Sequence, residues 1–485
     1  MLACLFKALY SDLSHEQLVQ ASFSSLLLCM IVGVYWLMRS LKDSIFATTV
    51  GLEYQPTAKM LSLVVVTVML FFYNKLVDVV PRDQLFKVIC CGFSAVFIAI
   101  ASVLQSSTYG LYGQDGQALP ASSTRLVGWI HYFAIESYGS LVVSLFWQHI
   151  NAQMNLKEAK AQYGLIVAGG QVGAISGCTL VVSSRTLGVA ELYYLGGILT
   201  LTPPIIVYFY LKRFPIVAAN STTHGAAAKR VAPGFLEGLR LLFRHPYVLG
   251  IFAVSALFEV IATILDYQMK VLGKASHDST ADFASFMGLF GQATNSVSLL
   301  FSVVGTSFVI RTFGLRLTLM LFPAMLVVVI ALVYCSPSMH VLFWVMVTIK
   351  ALSYALNNPS KEMLYMVTTD SIKFKAKSWI DVFGGRASKA MGSVVTNTFK
   401  KPVSSLMLYG SLVSLGIAGG LLLVTSLLGR AFEGLVQTNQ PIGLESTLID
   451  EEAQSLTQAQ STDEPAEPAA AIGRGGAASS ALEHA

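Results

Sequence analysis

Charge is what this sequence has least of. Of its 485 residues only 12% are Asp, Glu, Lys or Arg, while 54% are hydrophobic. A soluble domain carries roughly twice that charge fraction, and a single aqueous core cannot hide so much apolar surface, whereas a bilayer can solvate it. Catalytic signatures are also missing. There is no H-E-x-x-H, no G-x-S-x-G and no clustered His/Cys/Asp set, so nothing points to an enzyme. The P-loop pattern is absent, since Gly384-Gly385-Arg386 does not satisfy it. The six cysteines (Cys4, Cys29, Cys90, Cys91, Cys178 and Cys335) show neither metal-ligand spacing nor a secreted disulfide framework. Five of them lie in or beside apolar runs and read as buried thiols. No metal or other cofactor is required. Net charge is only +5, and no basic tract suggests a nucleic-acid partner.

What is present is a succession of twelve apolar runs of spanning or near-spanning length. They cover roughly 22–38, 60–80, 85–104, 127–150, 163–183 and 192–211, then 247–267, 283–310, 317–335, 341–357, 378–399 and 405–428. No cleavage pattern follows the first, so it reads as a span and not as a removed leader. The expected organisation is an N-terminal segment (1–21), a first six-helix half (22–211), a central cytoplasmic loop (212–246), a second six-helix half (247–428) and a disordered tail (429–485). The central loop carries Lys212, Arg213, Lys229, Arg230, Arg240 and Arg244, which places it and both termini on the cytoplasmic side. The tail is acidic and then rich in Ala, Gly and Ser, a composition that buries no core.

The halves echo each other at one place. Ser137, Tyr138, Lys157, Gly169 and Ala174 recur as Ser353, Tyr354, Lys373, Gly385 and Ala390, each 216 residues on. A constant offset suggests a duplicated six-span unit, with chance matching of common residues as the alternative. The fold class expected is therefore an all-α polytopic membrane protein of about twelve transmembrane helices in two halves, like a major-facilitator carrier.

Against this apolar background, ionisable residues inside spans stand out, because each costs about 2.5–3.5 kcal/mol even on the gentler insertion scale. Glu136 lies in the fourth run, and Glu259 and Asp266 in the seventh, seven residues apart on one face. Arg386 and Lys389 are one turn apart in the eleventh. Arg39, Lys42 and Asp43 close the first, and Lys361 and Glu362 follow Pro359 at the end of the tenth. One reading is a central polar cavity in which cations hold phosphate oxygens and carboxylates balance them. The other is ion pairing that ties helices together. Lys157, Lys160, Lys373, Lys375 and Lys377 read as loop charges. The small residues of the fifth run, Gly164 to Gly177, read as a close-packing face. His131 and His149 each stand alone and read as packed side chains.

Several segments, in order, resemble the nucleotide transporters of plastids and intracellular bacteria, also called ATP/ADP translocases. These are Arg39-Ser40-Leu41-Lys42-Asp43, Pro56-Thr57-Ala58-Lys59, Glu136-Ser137-Tyr138-Gly139-Ser140 with Phe146-Trp147, Glu259-Val260, Asn358-Pro359-Ser360-Lys361-Glu362-Met363, and Lys375-Ala376-Lys377 with Ile380-Asp381-Val382 and Lys389. The resemblance covers most of residues 25–425. It implies that Lys59, Glu136, Glu259 and Lys389 matter most for transport; Arg386, Lys42 and Lys361, as further cations in or beside the spans, are expected to assist at the substrate site. It also implies exchange of nucleotides, commonly ATP for ADP, by alternating access, driven by concentration gradients. The chain departs from the family pattern at Tyr138, Ala256, Asn358 and Thr263–Lys270. These departures leave the basic cluster intact and bear on base selectivity. The expected partners are a nucleotide, with phosphate or a proton as further candidates, and the lipid bilayer. The expected location is a plastid envelope or the cell membrane of an intracellular bacterium. A proton-coupled carrier of nucleotides or another organic anion, and a non-transporting nucleotide receptor, are the rival functions.

Overall fold

The computed structural model describes residues 14–151, 153–154, 156–214, 235–369, 372–438 and 442. The segment before Ser14, most of the central loop with Lys229 and Arg230, and the tail beyond 442 lie outside the described residues. The fold is helical throughout. Among the described residues the only β pairings are two isolated bridges, Tyr112 with Ala118 and Thr368 with Ile442.

Among the described residues the helices make twelve passages back and forth. Helix α1 (His15–Thr49) is followed by α2 (Gln55–Val79), α3 (Arg82–Gln105), α4 (Leu126–Asn151) and α5 (Leu156–Val182). The sixth passage is split into α6 (Val189–Leu199) and α7 (Thr202–Arg213), broken just before Pro203-Pro204, where a missing N–H would leave a carbonyl unpaired. A short amphipathic helix, α8 (Phe235–Arg244), leads into α9 (Pro246–Ala275). Helix α10 (Thr280–Cys335) crosses twice, turning at Gly314, whose φ of 71° a side chain would disfavour. The tenth passage joins α11 (Met339–Leu352) through the π turn Ser353–Asn357 to α12 (Asn358–Leu364). The eleventh contains two more π turns, Ile372–Ala376 and Ile380–Gly384, before α13 (Gly385–Phe399). Helix α14 (Val403–Thr438) ends the bundle. Nine of the described helical stretches are long and apolar enough to cross a membrane.

Local signals explain several boundaries. Ser14 and Gln17 form a reciprocal cap at the start of α1. Helix α1 then continues eleven residues past the expected end of the first span. Arg39, Lys42 and Asp43 therefore do not close that span; they lie inside it, and Lys42 and Asp43 are buried. They are solvated by other side chains of the bundle, which is why hydropathy alone ends the run too early. At the other end of the chain α14 runs ten residues beyond 428, through a stretch expected to be disordered. The cysteines also divide differently from expectation. Cys90 and Cys178 are buried, but Cys91 and Cys335 are exposed on the helix flanks, and Cys29 is intermediate.

Two large apolar cores form, beside two smaller clusters. One gathers Leu27, Ile31, Phe97, Tyr138 and Phe146 from the first six passages, and the other Phe258, Phe283, Phe322 and Leu342 from the last six. Phe71, Phe72, Leu300, Val328 and Leu423 point away from both, onto surface that lipid would cover. Between α1 and α5 the backbones nearly touch. A Cβ on Gly173 would lie 2.0 Å from the Cys29 carbonyl oxygen, and one on Gly177 would lie 2.1 Å from that of Gly33. This is the close approach that small residues permit.

Gly173→Val should therefore force α1 and α5 apart and destabilise the protein by about 1–3 kcal/mol or more, lowering its melting temperature in detergent. Gly416→Ala, where an added Cβ meets nothing within 4 Å, should leave it unchanged.

Candidate functional site

Six of the seven side chains expected at the site converge on one cavity of about 150 Å³ between the two sets of six passages. Lys42, Lys59 and Glu136 come from α1, α2 and α4; Glu259 comes from α9, and Arg386 and Lys389 from α13. Lys361, the seventh, is not in the wall. Its ammonium lies 3.5 Å from Asp381, drawn aside by the carboxylate of the neighbouring π turn.

The wall also contains Arg39 from α1, one of the in-span charges marked in the sequence, and two basic residues that the sequence reading did not place in the cavity, Lys270 from α9 and Lys350 from α11. Asp43 and Asp266 add to its acidic groups. The signal for Lys270 and Lys350 was present, since each is a lysine inside an otherwise apolar helix, which by itself marks a functional position. In all, seven basic and four acidic side chains face the space.

Their pairing is specific. Lys42 donates to Glu136 within the first half, and its ammonium also sits 4.3 Å over the Tyr132 ring. Lys389 lies 3.9 Å from Glu259, and it remains about half exposed, with 53% of its side chain accessible. A longer chain joins the halves. Lys59 reaches Asp266 at 2.9 Å, Asp266 holds Lys270 at 2.7 Å, and Lys270 reaches Asp43 at 2.9 Å. Gln55 donates to the free oxygen of Asp43. Asp43 and Lys270 are almost fully enclosed, with 3% and 6% of their side chains accessible. Buried charges of this kind survive only when fully paired.

Arg39, Lys350 and Arg386 differ from these four lysines, because none of the three has a carboxylate within 4.0 Å among the described residues. Arg39 donates to the Tyr35 hydroxyl at 3.1 Å and lies 4.9 Å over the Trp36 ring. Arg386 donates to the Ser140 hydroxyl from across the cavity. These anchors fix position without cancelling charge. Tyr35, Phe258 and Tyr354 supply the aromatic surface of the wall, and Ser62, Ser353 and Asn358 supply neutral polar groups. His131 takes no part. It is buried between the Tyr193 hydroxyl and the Lys42 carbonyl.

Contacts between the halves gather at the end away from the N-terminus. There Lys401 pairs with Glu53, Arg185 with Asp282, and the Thr48 and Thr280 hydroxyls meet at 2.8 Å. Hydrogen bonding to Glu53 raises the pKa of Lys401 above the ordinary lysine value. At the opposite end Arg213–Glu16, Arg316–Glu433, Lys361–Asp381 and Lys377–Glu362 each stay within one half. One mouth of the cavity is thus laced shut across the halves, and among the described residues the ion pairs near the other do not cross.

Comparison with known proteins agrees with this architecture. The sequence model of the TLC ATP/ADP transporter family matches residues 6–424. ADP,ATP carrier protein 1 of Chlamydia muridarum (strain MoPn / Nigg) is 26% identical over 413 residues, covering 74% of this chain and 78% of the relative. ADP,ATP carrier protein 1 of Rickettsia bellii (strain RML369-C) is 23% identical over 428 residues, with 77% and 84% covered. Among solved structures, a bacterial homologue of the iron transporter ferroportin in an inward-facing state superimposes with a TM-score of 0.59 at 12% identity, over 86% of this chain and 100% of that one. A mutant of the nucleoside transporter NupG gives 0.54 at 15% identity, over 86% and 99%. These structural likenesses carry the fold, that of the major-facilitator-type transporters.

The inter-half ion chain makes a direct prediction. Asp266→Asn leaves Lys59 and Lys270 side by side without their shared counter-ion, and should cost about 3–5 kcal/mol of stability, read as a lower melting temperature. Adding Lys59→Met should restore part of the loss, because Lys270 keeps Asp43.

Proposed function

Since the chain belongs to the TLC ATP/ADP transporter family, we propose that it exchanges adenine nucleotides, ATP against ADP, across a membrane by alternating access. The observation that carries this reading is the composition of the cavity. Its seven basic and four acidic side chains leave a formal excess of three positive charges, complementary to the about three to four negative charges of a nucleoside di- or triphosphate at neutral pH. Lysine and arginine are the side chains suited to phosphate oxygens, through charge-assisted hydrogen bonds. The multi-pass bundle is a membrane protein, and the relatives from Chlamydia and Rickettsia favour the cell membrane over a plastid envelope as its location.

In this reading Lys389 meets the substrate early. It is the more accessible of the lysines named by the resemblance, and it is held only loosely, 3.9 Å from Glu259. An arriving phosphate competes with that carboxylate. Lys59 lies deeper, and its bond to Asp266 ties α2 of the first half to α9 of the second. Engagement of Lys59 by phosphate would loosen that tie and link binding to the separation of the closed end. The cavity of about 150 Å³ is smaller than the roughly 300–1,000 Å³ typical of small-molecule sites. Binding therefore draws on relative movement of the halves, as in rocking carriers.

Pairing within the cavity favours exchange over proton coupling. Glu136, Glu259 and Asp266 each have a lysine within 4.0 Å, and Asp43 is held by both Lys270 and Gln55. A proton on Glu136, Asp266 or Asp43 would strand a buried lysine, which leaves only Glu259, beside the half-exposed Lys389, free of that cost.

Labelled ATP should enter proteoliposomes loaded with ADP and stay near background in vesicles without internal nucleotide, and a collapsed pH gradient should leave the rate unaltered. Lys389→Ala should lower the initial rate at least about tenfold, equivalent to roughly 1.4 kcal/mol, while the protein stays folded and inserted. Uptake that follows the pH gradient and ignores internal ADP would favour the proton-coupled carrier. Binding without flux would favour a receptor.

A further inference from the structure

The cations of the cavity fall into two classes, and the difference has a mechanistic consequence that rests on the nucleotide-transport reading above. Lys42, Lys59, Lys270 and Lys389 each have a carboxylate within 4.0 Å. Arg39, Lys350 and Arg386 line the same space and have none among the described residues. Arg39 and Arg386 are fixed instead by neutral groups, the Tyr35 and Ser140 hydroxyls and the Trp36 ring. Lys350 is partly buried, and its side chain makes neither an ion pair nor a hydrogen bond among the described residues. These three side chains are therefore the cations of the cavity without a direct ion pair, and Glu136, Glu259 and Asp266 act on them only from beyond 4.0 Å. The three cations come from three elements, α1 in the first half and α11 and α13 in the second.

We propose that Arg39, Lys350 and Arg386 receive the phosphates of the substrate, and that their unbalanced charge in the empty cavity makes the transporter an obligatory exchanger. The argument is electrostatic. Reorientation requires the cavity to pass through a state closed to water on both sides. In that state like charges repel with little screening, and an unneutralised cation in the bundle is expensive. With the cavity open on one side, water and counter-ions spread the charge. Once a nucleoside di- or triphosphate occupies it, the three positive charges are matched and closure is permitted. Return without cargo is blocked by the same three groups. Neutral anchoring is what such a device needs, since a direct ion pair to a carboxylate would satisfy the cations in the empty state and remove the block. The wide turn Ser353–Asn357, three residues beyond Lys350, gives the tenth passage a local irregularity of the kind that clusters at functional sites.

The test is transport by purified protein in proteoliposomes, with wild type, Lys350→Met, Lys350→Arg and Arg39→Gln, each first shown to melt cooperatively in detergent. Wild type should take up labelled ATP only when ADP is inside. Lys350→Met should raise the KM for ATP about tenfold or more and admit ATP into vesicles without internal nucleotide, so that the ratio of uptake with and without internal ADP falls toward one. Arg39→Gln should shift both quantities in the same direction, and Lys350→Arg should restore both. Two results would overturn the inference: a Lys350→Met protein with wild-type KM and strict dependence on internal ADP, or one whose KM rises while that dependence stays strict. A wild-type protein that moves no nucleotide at all would sink the transport reading itself, an outcome separate from either.

Discussion

A charge held inside a lipid-embedded bundle must find its counter-charge within the protein. In this molecule that requirement is met by one interaction above all, the alternating chain Lys59–Asp266–Lys270–Asp43. Two of its members come from the first half and two from the second. The same ionic bonds therefore neutralise the interior and hold the halves together at one end of the cavity. Neither task could be given up alone, because separating the halves without replacing the counter-charges would strand lysines and aspartates in a medium that solvates them poorly.

This dual role links packing to transport. The closed end is sealed by bonds that cross between the halves, including Lys401–Glu53 and Arg185–Asp282, while among the described residues ion pairs at the other end stay within a half. A carrier that rocks about a central site alternates which set crosses. A polyphosphate can take part in the exchange of partners because it offers lysines the same oxygen chemistry as a carboxylate. The closest helix contact is that of α1 with α5, where glycine backbones meet with no room for a side chain. The irregular part is the tenth and eleventh passages, where three π turns interrupt the helices.

Those turns also show where the internal repeat stops being a structural guide. Ser137-Tyr138 and Ser353-Tyr354 are equivalent in the sequence, 216 residues apart. Tyr138 is packed against Phe93 and Phe97 in the first core, whereas Ser353 and Tyr354 face the cavity. The position equivalent to Glu136 is Leu352, so the acidic group of the fourth passage has no counterpart in the tenth. A π turn adds one residue to a helical turn and changes which face follows. A repeat read by residue matching cannot register that change.

By itself the sequence determined that this chain spans a membrane about twelve times, because hydropathy depends only on composition along the chain. It also marked most of the charges that matter, since an ionisable residue in an apolar run is conspicuous without any structure. Glu136, Glu259, Arg386 and Lys389 were legible on those grounds, and Lys350 and Lys270 could have been. The tertiary structure decided the rest, namely which charge pairs with which. Lys361 turned aside to Asp381, Asp266 became the link between the halves, and Arg39, Lys350 and Arg386 were left with no carboxylate within 4.0 Å among the described residues. Pairing depends on distances of a few ångströms between helices far apart in the chain, and no pattern along a single strand of sequence encodes those distances.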